Sequence, residues 1–166
     1  MVVSVPLFIA GAMVAKMIGL SHTEVGFSFD RLHNQLLIAL LGLPLGFVEF
    51  LIVKPVSINI AAASDEIFMW VIILIICVGF LEEFIFRGIL FNVALKVLGD
   101  KKALYFTSLL YAALTISGQS FVIVIYAFLI SILFCRLFVW RKSILGLSLA
   151  HGLINITVYV ICPLFF

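Results

Sequence analysis

Hydrophobic residues along this chain fall into six long runs separated by short polar punctuation. Each run is near the roughly 20 residues a helix needs to cross a bilayer. They cover about Val2 to Leu20, Asn34 to Val53, Ile67 to about Leu95, Ala103 to Ser117, Ser120 to about Val139, and Ser143 to the last residues. Between them lie a mixed segment, Ser21 to His33, and a connection, Lys54 to Glu66. Basic clusters at Lys96–Lys102 and at Arg141-Lys142 punctuate the rest, and Gly118-Gln119 reads as a tight turn. Pro44 predicts a kink in the second run, and Glu49 stands as a lone acid near its far end. Ser64-Asp65-Glu66 reads as a helix start, with its acids at the positive end of the dipole. The pattern predicts an all-α polytopic membrane protein, a single domain over 1–166 with about six transmembrane helices around a polar intramembrane cavity.

Composition sharpens this. Of the 166 residues, 66% are hydrophobic and 11% charged, which excludes an ordinary water-soluble globule. Cys77, Cys135 and Cys162 lie in apolar runs without C-x-x-C spacing, so neither a disulfide framework nor a zinc site is expected. Met1 to Phe8 carries no basic n-region, which predicts a retained first helix rather than a signal peptide. No Gly-rich phosphate loop and no basic nucleic-acid patch occurs, so no nucleic-acid partner is expected. The net charge of +2 is uninformative, but its placement is not. Lys16, Arg31, Lys96, Lys101, Lys102, Arg136, Arg141 and Lys142 flank one side of the six crossings, and only Lys54 flanks the other. By the positive-inside rule the first side is cytoplasmic and both termini lie outside.

Against this apolar background one stretch stands apart: Gly79-Phe-Leu-Glu82-Glu83-Phe-Ile-Phe-Arg87-Gly88, two carboxylates and a guanidinium inside the third run. Each such charge at a helix centre costs about 2.5–3.5 kcal/mol, against roughly 0.3–0.6 returned by each Leu, Ile, Phe or Val. Charges kept at that cost point to function. Glu83 and Arg87 are spaced as a helical ion pair, an arrangement that serves packing as well as a site. Glu82 is left about 100° round the helix without that partner, placed to act as a general base on water. In the sixth run His151 and Asn155 share a face, a pairing suited to stabilising an oxyanion. At a 1.5 Å rise per residue, Glu82 lies roughly 20 Å, Thr115 roughly 18 Å and His151 with Asn155 roughly 12–18 Å from the cytoplasmic end. This agreement in depth predicts one shared cavity in the cytoplasmic half. Ser108, Tyr111 and Thr115 form a stripe that fits either a cavity wall or helix–helix contact. His22 and His33 fall in a solvated segment, and no multi-histidine cluster for a metal exists.

At these residues the sequence resembles the CAAX-protease and bacteriocin-processing (CPBP) family of intramembrane endopeptidases, over a core of about 69–156. The family motif E-E-x-x-x-R matches Glu82 to Arg87, and H-x-x-x-N matches His151 to Asn155. In the middle motif, F-x-x-x-H, Tyr111 stands for the Phe and Thr115 for the His. The resemblance implies an intramembrane glutamate-type peptidase without metal or other cofactor. Glu82 would activate water, His151 and Asn155 would steady the oxyanion, and Glu83, Arg87 and Thr115 would support them. The implied partner is a membrane-associated peptide or protein: a prenylated tail, a sorting signal or a leader. The rival reading is a catalytically inactive relative, a membrane immunity factor or substrate-binding scaffold, because threonine cannot carry a proton as imidazole does.

Overall fold

A computed structural model describes residues 4–55, 64–116 and 120–165, with the side chains of 64–67 excluded. Among these residues the six expected apolar runs are helical and no strand occurs. We number the helices α1 (Ser4–Met17), α2 (His22–Val25), α3 (Leu32–Val53), α4 (Phe68–Leu98), α5 (Asp100–Leu114), α6 (Phe121–Arg141) and α7 (Leu145–Phe165). The longest apolar ones, α3, α4, α6 and α7, have the length and composition to cross a membrane, while α1 and α5 are shorter. The chain is a multi-pass integral membrane protein by this architecture. The turn expected at Gly118-Gln119 and most of the Lys54–Glu66 connection lie outside the described residues.

The segment expected to be a mixed loop contains a helix of its own. In α2 the Ser21 side chain accepts from the Glu24 N–H while Glu24 reaches back to the Ser21 N–H at 2.8 Å, a complete capping box. Asn92 Nδ2 at the foot of α4 donates to the Glu24 carbonyl at 2.6 Å, and Lys96 pairs with the Glu24 carboxylate at 2.8 Å. Gly26, with φ of 93°, ends α2 and offers its carbonyl to Ile144 N–H at 3.0 Å. This short helix therefore ties α4 to the α6–α7 corner.

In α3 the helix is interrupted at Leu41. The cause is Pro44, whose ring cannot sit against the carbonyl of residue i−4 and offers it no N–H. The interruption lies three residues ahead of Pro44, where a kink is expected from the sequence.

The centre of the bundle is α7. Two thirds of its apolar window, 67%, is buried, against 22–33% in α3, α4 and α6. Small residues explain how it fits between neighbours. A Cβ added to Gly79 of α4 would stand 2.5 Å from the Ser148 carbonyl oxygen and 2.8 Å from Gly152 N. One added to Gly42 of α3 would collide with the Ala150 carbonyl. Backbone meets backbone on both sides of α7, the packing that small residues permit in membranes. The outward faces of α1, α3 and α6, by contrast, expose Ile9, Met13, Leu37, Leu40, Ile125 and Leu129, as lipid contact requires.

Candidate active site

The carboxylates Glu82 and Glu83 sit on a short α-helical segment between two wider π-wound stretches, Leu74–Phe80 and Phe84–Phe91. Such widenings within α-helices collect at functional positions. Asn92 closes the second stretch by donating to the Gly88 and Arg87 carbonyls at 2.8 and 3.3 Å. Consecutive on the helix, the two acids point in different directions and meet different surroundings.

Glu83 is fully buried, as is Arg87. Its Oε1 accepts from Arg87 Nη1 at 2.9 Å and from His151 Nδ1 at 3.0 Å. The guanidinium is itself held by Ser131 Oγ of α6 at 3.0 Å and lies 4.8 Å from the Tyr111 ring centroid and 5.4 Å from that of Phe134. What the spacing suggested as a pair on one helix is a cluster joining α4, α5, α6 and α7. With Nδ1–H given to Glu83, the ring's other nitrogen, Nε2, is the one that faces outward from the cluster. Nε2 stands 3.8 Å from Glu82 Oε2 and 3.5 Å from the Tyr111 hydroxyl.

Glu82 turns into a cavity of about 220 Å³, room for several water molecules. His151, Asn155 and Thr115 line the same cavity. So do Tyr111, Tyr126 and, from α3, Glu49. The four residues expected at a common depth therefore share a wall. Glu82 has no hydrogen-bond partner among the described residues, and its side chain is 37% exposed, so its oxygens are free for a guest. Asn155 Nδ2 donates to the His151 carbonyl at 3.0 Å, which commits one of its two N–H bonds and leaves the other. Thr157 likewise donates to the Leu153 carbonyl at 2.7 Å, and α7 widens into a π-turn from Thr157 to Ile161. The Thr115 hydroxyl proton is committed to the Ala112 carbonyl at 2.8 Å, so towards the cavity this residue offers lone pairs only.

The stripe on α5 divides by role. Tyr111 and Thr115 are cavity wall, and Ser108 is buried in the packing. His22 and His33 are both exposed, away from this site. Among the described residues no group of three or more His, Cys, Asp or Glu side chains could hold a metal.

A family model described as "Rce1-like: Type II CAAX prenyl endopeptidase Rce1-like" matches residues 64–157. The chain belongs to this family. The match spans more than half of the protein and runs from just before α4 into α7, so it contains every cavity residue except Glu49. An Rce1-like membership makes this a protein of a CAAX-type intramembrane protease family. No curated protein and no solved structure matches the chain.

Sequence reasoning missed Glu49 and Tyr126. Tyr126 donates to the Leu45 carbonyl at 2.6 Å, pinning α6 to α3 one turn from Glu49. An unpaired acid in an apolar run was the available signal, but helix α3 carries no motif to place it beside the others.

Proposed function

We propose that this protein is a glutamate-type intramembrane endopeptidase that cuts a membrane-associated peptide or protein. The substrate classes that fit are a prenylated C-terminal tail, a sorting signal or a leader. Glu82 is the general base: its carboxylate takes a proton from a water held in the cavity, and the oxygen attacks the scissile carbonyl carbon. The C=O bond opens to an oxyanion, and His151, in its imidazolium form, donates to it from Nε2 while Nδ1 stays on Glu83. The second Asn155 N–H is the other donor. Glu83 and Arg87 hold the imidazole in orientation and do not touch substrate. Collapse of the intermediate re-forms the C=O bond and breaks the C–N bond; the nitrogen takes up one proton, matching the one Glu82 took from water, and an acid and an amine are released.

One observation carries this reading. A carboxylate without a hydrogen bond and an imidazole nitrogen, 3.8 Å apart, open onto one cavity within the apolar bundle, so both can reach the same water. The distribution of basic residues supports a site in the cytoplasmic half with both termini outside.

The test is mass spectrometry of the membrane proteome with and without the protein, in search of a new C-terminus. Wild type should create one, and the isosteric Glu82→Gln variant, still inserted in the membrane, should not. Undiminished cleavage by Glu82→Gln would rule the mechanism out. Specific capture of a membrane protein that is never cut would favour the inactive scaffold instead, to which Thr115 in place of a histidine lends its weight.

A further inference from the structure

Glu49 is the second carboxylate on the cavity, and nothing in the mechanism above uses it. It belongs to α3, outside the matched part of the chain, and reaches the cavity because Gly46, one turn earlier, packs against Ile154 and Thr157 of α7. A Cβ on Gly46 would stand 2.7 Å from the Ile154 carbonyl, so α3 lies as close to α7 as backbones permit. Tyr126 fixes the same turn from the α6 side through the Leu45 carbonyl. The glutamate is thus held by two neighbours at a place where its side chain finds no hydrogen bond or ion pair among the described residues. An acid kept in an apolar helix at that cost, aimed at a polar cavity and without a structural partner, is unexplained by packing.

When the C–N bond breaks, the nitrogen cannot leave as an amide anion and needs a proton, either the one Glu82 took from water or one from a second donor on the nitrogen's side of the cavity. The Thr115 proton is committed to a backbone carbonyl, His151 Nε2 and Asn155 are turned to the oxyanion, and the Tyr111 hydroxyl faces His151 Nε2 at 3.5 Å. We propose that Glu49 is the general acid, which gives its proton to the leaving nitrogen across the cavity from Glu82.

The step balances within the two carboxyl groups. Glu82 takes one proton from water as the C–O bond forms. Glu49, as the neutral acid, gives one to nitrogen as the C–N bond breaks. The proton held by Glu82 then returns through cavity water to the Glu49 carboxylate, and peptide plus water have become acid plus amine. The titratable groups that face Glu49 are Glu82 from α4, Tyr111 from α5, Tyr126 from α6, and His151 and Tyr159 from α7. This proposal rests on the endopeptidase reading.

The experiment compares two probes with the full-length protein in detergent. One is a prenylated C-a-a-X peptide. The other is its analogue with sulfur in place of the nitrogen at whichever bond the wild type cuts. A thiol has a pKa of about 8.5, so its thiolate leaves without a proton donor. Glu49→Gln should lower cleavage of the amide by about a hundredfold, within the span of general acid catalysis, while the thioester is cut within about threefold of wild type. Glu49→Asp should restore part of the amide rate, and Glu82→Gln should lose both substrates. Equal loss on both probes in Glu49→Gln, or an unchanged amide rate, would overturn the role of Glu49 and leave the endopeptidase intact. Wild type that cuts neither probe would remove the endopeptidase reading for this substrate class, and the Glu49 role with it.

Discussion

Glu83 Oε1 and His151 Nδ1 lie 3.0 Å apart, and the same oxygen accepts from Arg87 Nη1 at 2.9 Å. A single buried oxygen thus orients the imidazole of α7 and the guanidinium of α4. Neither polar group alone could be kept in so apolar a bundle; each makes the other tolerable. The consequence is that the position of His151 depends on a residue that never faces the cavity.

Arg87→Met should therefore destabilise the fold by about 3 kcal/mol, near the lower end for breaking a buried ion pair, because His151 still satisfies Glu83. The double variant Arg87→Met with Glu83→Leu should recover only part of that loss, since the unpaired carboxylate is gone but His151 Nδ1 loses its acceptor. Thermal unfolding in detergent micelles reads both.

Thr115→His tests the position where the family motif has an imidazole. If Glu82 and Glu49 already carry the protons, the added ring is redundant and the cleavage rate should stay within about tenfold of wild type. Proteolysis that appears only in the Thr115→His variant would mean that the natural protein is a non-catalytic relative. The assay is the same terminal mapping in membranes.

Packing at the α4–α7 contact predicts a different effect. In Gly79→Ala the new methyl meets the Ser148 carbonyl at 2.5 Å, and a backbone oxygen cannot swing aside. The helices must separate, at a cost of about 1–3 kcal/mol for overpacking. Because Glu82 and His151 lie on these two helices, activity should fall more than stability. Parallel measurement of unfolding temperature and cleavage rate would separate the two.

The α2 anchor should respond to pH. Hydrogen bonds from Lys96 and from the Ser21 N–H and hydroxyl pull the Glu24 carboxyl from 4.5 down to about 2. A group whose pKa is lower in the folded state stabilises it above the unfolded value and loses that contribution as protons bind. The tether of α2 to α4 should accordingly be constant above pH 5 and weaken between about 4.5 and 2. Hydrogen exchange of the 21–28 amides across that range is the measurement, and Lys96→Met should shift the loss to higher pH. Because Glu24 is exposed, added salt should reduce the effect.

Much of this architecture was legible in the chain. Runs of apolar residues near bilayer length specify helices because in lipid a helix satisfies every backbone group within its own segment, where a strand would need a closed barrel. The convergence of Glu82, Thr115, His151 and Asn155 was legible too, since helix rise converts residue number directly into depth. The family match over residues 64–157 agrees with the motifs that suggested it. Less visible was α2, whose four residues are too few for a hydrophobic period. The reach of Glu83 across to His151 was hidden as well, because spacing on one helix says nothing of what the neighbouring helix presents.

By itself, then, the sequence determined which segments are helical, where along its helix each polar residue lies, and which motif residues could meet. Position along the helix axis is one coordinate of three. Rotation and neighbour order, the other two, are decided by packing: the glycines of α3 and α4 let α7 approach closely, and the contact at Gly46 sets the turn of α3 from which Glu49 lines the cavity. Those contacts join residues about 70 to 110 positions apart, and no local pattern encodes them.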